Sequence, residues 1–183
     1  MKLTDEHHDE NCIPTEEALE IAKTCMKTEL SDWYPLHKAQ KDNRHHKKTK
    51  KSKSLDEQPL TFECDGGISE RWSGISIPGL TTKIYITTAK TVDTYRMTST
   101  LYRTQDRVTN RVIQVETGHP LPNTMKDPHW PHLHLGHQYW KLENGVDPCD
   151  FHGNLKIFSE KSNVEITPEL ENPLEPGVLK LTG

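Results

Sequence analysis

The stretch KDPHWPHLHLGHQYW, residues 126–140, contains four histidines and two tryptophans within fifteen residues. Side chains two residues apart on a β-strand lie on the same face of the sheet. His132 and His134 would therefore present two imidazoles side by side, while Leu133 and Leu135 enter the core. Two neutral imidazoles on one face are typical of half of a zinc site. The alternative is an amphipathic strand whose outward residues happen to be histidines.

A complete zinc site needs more than two protein ligands. His119 is the preferred third ligand, because an antiparallel return through the following loop would place it beside the strand of His132. Cys149 is the next choice, since a thiolate binds zinc well. We therefore predict a metal site, with Zn²⁺ as the cofactor, formed by His119, His132, His134 and Cys149. The further candidates that stay open are His129, His137 and His152.

Known catalytic patterns do not match these histidines. His137 is displaced by Gly136 from the alternation of a histidine-triad nucleotide hydrolase. Neither His132 nor His134 is followed two residues later by the hydroxyl residue of a two-histidine phosphoesterase. The sequence also lacks the HExxH motif of a metalloprotease helix and a glycine-rich phosphate loop. We assign no catalytic residue from the sequence.

A strongly basic block lies upstream of the histidines. Residues 38–54, KAQKDNRHHKKTKKSKS, contain eight Lys or Arg residues and one Asp, whereas the whole chain carries a net charge of −4. Such a block is typical of a polyanion-binding arm or an electrostatic tether to an acidic body, or else of a solvated linker. Arg103 could clamp a phosphate beside a metal, or serve as the outward charge of an edge strand. We predict contacts to nucleic acid or a protein partner from Lys47, Lys48, Lys50, Lys51 and Arg103.

Length and composition predict one domain with appended segments. The chain has 183 residues and only 32% hydrophobic residues, so a core of about 100 residues with solvated flanks fits best. Apolar residues after Pro14 recur at spacings of three and four, which predicts an amphipathic helix. The predicted segments are a flexible N-terminus (1–13), this helix (14–36), a basic linker (37–58), a β-rich metal-binding domain (59–160) and a Pro-rich acidic tail (161–183).

The middle of the chain has β composition. Residues 81–116 are rich in Thr, Val, Ile and Tyr in alternating patterns, which predicts an antiparallel meander. LTFECDGG predicts a strand that runs into a Gly-Gly turn, and His132–Leu135 a later strand. The expected fold class is α+β: an N-terminal amphipathic helix, a basic linker, and an antiparallel β meander or partly open barrel.

The first residues contain no apolar run, and no segment approaches the roughly 18 apolar residues of a membrane span. We therefore expect no membrane partner, a cytoplasmic location, and reduced cysteines.

Several stretches over residues 15–140 form a recognisable series: TEEALEIAKTCMKT, the Lys-rich stretch, TLYR, HPLPN and PHLHL. In this series the chain resembles a family of small domains of unknown activity from prophages and other mobile elements of Gram-positive bacteria. The sequence lacks the Asn-Pro-Asp-Gly turn that usually follows the first His, and Gly136 replaces an aromatic residue. The positions that match the family pattern are Arg103, His119, Asn123, Pro131, His132 and His134.

The resemblance implies a phage or mobile-element setting, with the cytoplasm of a bacterial host as the location. Together with the charge pattern, it favours a non-enzymatic metal-binding protein that engages host defence machinery. Such a protein would inhibit a CRISPR-type nuclease or another nucleoprotein through charged surfaces. The alternative is a metal-dependent ribonuclease or phosphoesterase of the toxin type.

Overall fold

The computed structural model describes residues 11–36, 60–88, 95–119, 130–142, 147 and 150–175. Within these residues the chain forms two helices and nine strands. The helices are α1 (Thr15–Ala22) and α2 (Phe151–Ser162). The strands are β1 (Met26–Thr28), β2 (Tyr34–Pro35), β3 (Thr61–Glu70), β4 (Ser76–Thr88), β5 (Tyr95–Gln105), β6 (Val108–Gly118), β7 (His132–Leu135), β8 (Gln138–Lys141) and β9 (Val164–Ile166).

All nine strands belong to one sheet that curls into an open half-barrel. The strand order is β8-β7-β6-β5-β4-β3-β1-β9, and β2 pairs with β3. Neighbouring strands are antiparallel except β1 and β9, which run parallel. The predicted α+β class with a partly open barrel is confirmed. The meander predicted over residues 81–116 corresponds to β4, β5 and β6, and the strand predicted at His132–Leu135 is β7.

The predicted N-terminal helix is much shorter than the segment 14–36. α1 ends at Ala22, and β1 begins four residues later, between β3 and β9 near one end of the strand order. Met26 and Thr28 are buried and Lys27 is half-buried, so burial alternates every two residues, as in a strand, and does not follow the 3.6-residue period of a helix. The prediction of a helix over residues 14–36 was wrong beyond Ala22. Cys25 and Met26 continue the helical spacing of three and four from Ala22, but this part of the chain pairs with β3 and β9 as a strand.

The prediction of a Gly-Gly turn was also wrong. β3 continues through Gly66 and Gly67, which pair with Thr82 and Thr81. The segment predicted as a Pro-rich acidic tail from residue 161 begins with the last two residues of α2 and with β9, which lies beside β1.

Helix α2 was missed inside the segment predicted to be β-rich. Its first turn is capped by Asp150, whose carboxylate accepts a hydrogen bond of 2.9 Å from the Gly153 amide. Its end is marked by Asn163, which adopts the left-handed conformation at φ 57°.

The two faces of the sheet differ in chemistry. One face, called the helix face below, carries the core and packs against α1 and α2. Its buried residues form two clusters, one around Leu101, Ile113 and Phe158 and one around Ile84, Met97 and Phe151.

The other face, called the polar face below, carries two rows of polar side chains in register across the strands. Residues paired across strands share a face of the sheet. The first row, from β2 to β8, is Tyr34, Glu63, Tyr85, Thr98, Glu116, His132 and Lys141. The second row, from β3 to β8, is Asp65, Lys83, Thr100, Gln114, His134 and Tyr139.

Several predicted segments lie outside the described residues. These are the basic block with Lys47, Lys48, Lys50 and Lys51, the first ten residues, and Cys149. None of the described helices is long and apolar enough to cross a membrane.

Candidate functional site on the polar face

The two histidines of β7 lie side by side on the polar face. Their ring centroids are 4.8 Å apart and the ring planes are nearly perpendicular. His132 is buried, with 6% of its surface exposed, whereas His134 is half-buried. β7 is held between β6 and β8, so both imidazoles project from a backbone paired on each side.

Glu116 lies directly across from His132 on β6 and is also buried. Its Oε2 atom is 3.4 Å from Nε2 of His132. Arg96 on β5 and Gln114 both donate hydrogen bonds to the same carboxylate. A buried carboxylate is stable only with such partners, because burial removes its hydration. Glu116 and Arg96 therefore fix the environment of His132.

Aromatic rings enclose the histidines. The Trp130 ring meets His132 edge-on at 5.5 Å, and its indole N–H donates to the Gly118 carbonyl at 3.0 Å. The Arg96 guanidinium lies 5.0 Å from the centroid of the Trp130 ring, which is a cation–π distance. On the other side, Tyr139 stacks on His134 with centroids 5.3 Å apart. These contacts restrict the rotation of both imidazoles.

Solvent reaches only part of this cluster. His134, Gln114 and Tyr139 are half-buried, the Arg96 side chain is 21% exposed, and Lys141 is exposed at the end of the first row. A ligand on the polar face would therefore touch His134 and the two cations first. His132 and Glu116 lie beneath them.

A second cluster surrounds Glu63 in the same two rows. Glu63 accepts hydrogen bonds from the Tyr34 hydroxyl at 2.6 Å and from the Lys83 ammonium at 3.1 Å. Lys83 is also 3.7 Å from Asp65. These groups continue the polar surface across β2, β3 and β4.

Of the four predicted zinc ligands, Cys149 lies outside the described residues, and the other three are only partly brought together. Glu116, and not His119, lies opposite His132. His119 follows Glu116 by three residues, and its backbone N–H donates a hydrogen bond of 2.8 Å to the Tyr95 carbonyl. In the described parts of the chain, no three His, Cys, Asp or Glu side chains converge closely enough to hold a metal ion. Among the candidate ligands that the structure describes, His132 and His134 lie side by side.

His129 lies outside the described residues, and the other described candidates lie away from His132 and His134. Arg103 is in register with the core residue Leu80 and donates to Glu17 of α1, which places it on the helix face and away from His134. His137 lies in the turn between β7 and β8 beside Cys12. His152 lies on α2, 3.2 Å from Glu169.

Comparison of the chain with protein-family models, with curated proteins and with solved structures gives no significant match. The resemblance to the prophage domains therefore stays a prediction. Function has to be argued from the site itself.

Sequence reasoning missed Glu116, Arg96, Gln114 and Tyr139 as neighbours of the histidines. A usable signal was present, because RVIQVE alternates apolar Ile113 and Val115 with polar Gln114 and Glu116. The alternation identifies the polar face of β6. Only the register between β6 and β7 then shows that Glu116 meets His132.

Proposed function

We propose that the protein cleaves the phosphodiester backbone of RNA on the polar face, at His134. One observation carries the proposal. Three neighbouring strands bring an arginine, a carboxylate and two imidazoles together on the polar face, where His134 and Arg96 are partly exposed and the buried carboxylate is paired with Arg96. Arginine binds phosphate well, and imidazole transfers protons near neutral pH. This combination of groups suits phosphodiester chemistry.

Each residue has a distinct role in the proposal. His134 is the catalytic residue, because it is the imidazole that an incoming ligand can touch. Arg96 contacts the phosphate; its guanidinium has five N–H donors, and the hydrogen bond to Glu116 does not use them all. His132 and Glu116 are positioning residues that hold His134 and Arg96 from beneath.

The reaction would follow the usual course of RNA self-cleavage. The 2′-hydroxyl attacks the adjacent phosphorus while His134 accepts the hydroxyl proton. The bond from phosphorus to the 5′ oxygen breaks, and that oxygen takes a proton from water. The products are a 2′,3′-cyclic phosphate and a free 5′-hydroxyl. Arg96 stabilises the negative charge that accumulates on the phosphate oxygens.

The test uses untagged, EDTA-dialysed protein and a fluorophore-labelled single-stranded RNA, with the same sequence as DNA for comparison. We expect cleavage of the RNA only, with a cyclic phosphate identified by mass spectrometry. His134→Ala should slow cleavage at least about 100-fold, because it removes the proton acceptor. The matched control is His152→Ala, a histidine on α2 outside the polar face, which should cleave at the wild-type rate.

Two results would overturn the proposal. One is wild-type protein that leaves RNA intact both with EDTA and with added Zn²⁺ or Mn²⁺. The other is a folded His134→Ala variant that cleaves as fast as wild type.

A second candidate function is the binding of Zn²⁺ by His132 and His134, in a protein that engages a host nuclease or nucleoprotein. The 4.8 Å separation of the two rings favours it, as does Glu116 at Nε2 of His132, since metal-binding histidines commonly donate their second ring N–H to a carboxylate. Elemental mass spectrometry on untagged protein distinguishes the two candidates. One equivalent of zinc that is lost in His132→Ala, together with absent RNA cleavage, would favour the binding protein.

A further inference from the structure

A cysteine and a histidine that lie far apart in the sequence meet beside α1, away from the polar face. The Cys12 sulfur is 3.1 Å from Nδ1 of His137, across 125 residues of sequence. Cys12 is buried, with 8% of its surface exposed, and His137 is half-buried. Neither residue takes part in the function proposed above.

Backbone contacts fix both residues at this position. The segment before α1 pairs with β6, because Ile13 donates to the Arg111 carbonyl at 3.1 Å and Arg111 donates to the Asn11 carbonyl at 2.8 Å. On the other side, the His137 amide donates to the Thr15 hydroxyl at 3.2 Å. The turn that carries His137 therefore rests on the first residue of α1.

The tight turn depends on Gly136, which adopts φ +55°. A Cβ atom at this position would approach the backbone of Thr15 more closely than van der Waals contact allows. Glycine thus lets the β7–β8 turn come close enough for His137 to reach Cys12. The contact is a consequence of how two backbone segments are packed.

The chemistry of this pair differs from that of the other described cysteines. Imidazole at hydrogen-bond distance can accept the thiol proton and stabilise the thiolate, and the nearby N-terminus of α1 favours negative charge. Cys64 is fully buried, and this burial raises the pKa of its thiol far above the ordinary value. Cys25 is half-buried, and the Asn163 side-chain amide donates a hydrogen bond of 3.5 Å to its sulfur.

We propose that Cys12 is a modification site for peroxides and small electrophiles, with His137 as the proton acceptor. In the oxidation, His137 takes the thiol proton and the sulfur attacks one oxygen of the hydroperoxide. The O–O bond breaks, and the departing oxygen leaves as water or an alcohol after taking the proton from His137. Sulfur is oxidised to sulfenic acid and the peroxide is reduced.

The experiment measures the alkylation rate of each cysteine in the native full-length protein at neutral pH. Protein is pulsed with iodoacetamide, denatured, and labelled with a heavy reagent, so that mass spectrometry reads each thiol separately. We expect Cys12 to react at least about tenfold faster than Cys64. A parallel incubation with hydrogen peroxide and a sulfenic-acid trap should label Cys12.

Two variants separate chemistry from packing. His137→Ala removes the ring, whereas His137→Asn keeps an amide near the position of Nδ1 but cannot accept the proton. Both should slow alkylation of Cys12 by about tenfold. Slow labelling of Cys64 in each variant verifies that the protein is folded.

The proposal is overturned if Cys12 in the wild-type protein reacts as slowly as Cys64. It is also overturned if His137→Asn, with Cys64 still protected, leaves the rate at Cys12 unchanged, because His137 would then be a packing residue only.

Discussion

At the scale of single residues, two buried carboxylates on the polar face are stabilised by different partners. Glu116 is stabilised by Arg96, Gln114 and His132. Glu63 is stabilised by the Tyr34 hydroxyl and the Lys83 ammonium. Because a buried charge without a partner is strongly destabilising, these contacts hold the side chains in place before any ligand binds.

The contacts of Glu63 oppose the effect of its burial. Burial alone would raise the pKa of Glu63, but the hydrogen bonds from Tyr34 and Lys83 outweigh it and hold that pKa below the ordinary value of 4.5. The same hydrogen bond to Glu63 raises the pKa of the Tyr34 phenol well above its ordinary value. Ionised Glu63 therefore stabilises the fold.

This arrangement predicts a pH-dependent effect of Tyr34→Phe. Since the pKa of Glu63 is lower in the folded state, its contribution is fully present above the ordinary carboxylate pKa and is lost as the pH falls through the folded-state pKa. Tyr34→Phe removes one of the hydrogen bonds that lower this pKa. The free energy of unfolding, measured with urea, should differ between wild type and variant more at about pH 7 than at about pH 3.

Tyr34 also pairs β2 with β3, and that backbone contact is retained in the variant. A difference between the two proteins that is the same at both pH values would contradict the assignment. Tyr34 would then contribute through packing alone.

At the scale of elements, the sequence predicted the strands in which apolar and polar residues alternate without ambiguity. β4, β5, β6 and β7 alternate clearly, and all were found where the pattern placed them. β1 could not be predicted, because three residues are too few to define a period and because its partners are the distant β3 and β9. Its burial is decided by tertiary pairing and not by local propensity.

Helix α2, by contrast, carried a readable signal. Asp150 precedes apolar residues at Phe151, Leu155 and Phe158, spaced by four and three, and Asn163 closes the helix. The prediction of a β-rich metal-binding domain over residues 59–160 left this helix out. The site itself was half predictable, since His132 and His134 follow from alternation whereas Glu116 and Arg96 require the strand register.

Two adjacent glycines in β3 give a prediction at this scale. A Cβ atom on Gly66 would overlap the backbone oxygen of Glu29, just after β1, whereas one on Gly67 would meet nothing within 4 Å. Gly66→Ala should therefore lower the free energy of unfolding by about 1–3 kcal/mol, because backbone atoms must shift to admit the methyl group. Urea denaturation followed by circular dichroism measures the change.

Gly67→Ala is the matched control, one residue away in the same strand. It should be neutral or stabilising by up to about 1 kcal/mol, since it reduces the conformational freedom of the unfolded chain. An equal decrease in the free energy of unfolding in both variants would mean that β3 cannot accommodate a side chain at either position. The close approach of Glu29 to Gly66 would then not explain the effect.

At the scale of the whole molecule, the single sheet joins both core clusters. Ile166 of β9 packs against both of them, and α2 places Phe158 in one and Phe151 in the other. β9 also pairs with β1, and this pairing joins the part of the fold after α2 to the part near residue 26. Neither cluster has a sheet of its own, so neither can lose its packing without exposing part of the other.

The prediction is that the two clusters unfold together. Phe158→Ala and Phe151→Ala should each lower the free energy of unfolding by about 3–5 kcal/mol, because each removes a buried aromatic side chain. In both variants, circular dichroism and tryptophan fluorescence should report one shared urea midpoint. Lys156→Ala, on the exposed side of α2 with a side chain that is 75% exposed, should change stability by less than about 0.5 kcal/mol. Separate midpoints in either phenylalanine variant would show that the half-barrel contains two units that unfold independently.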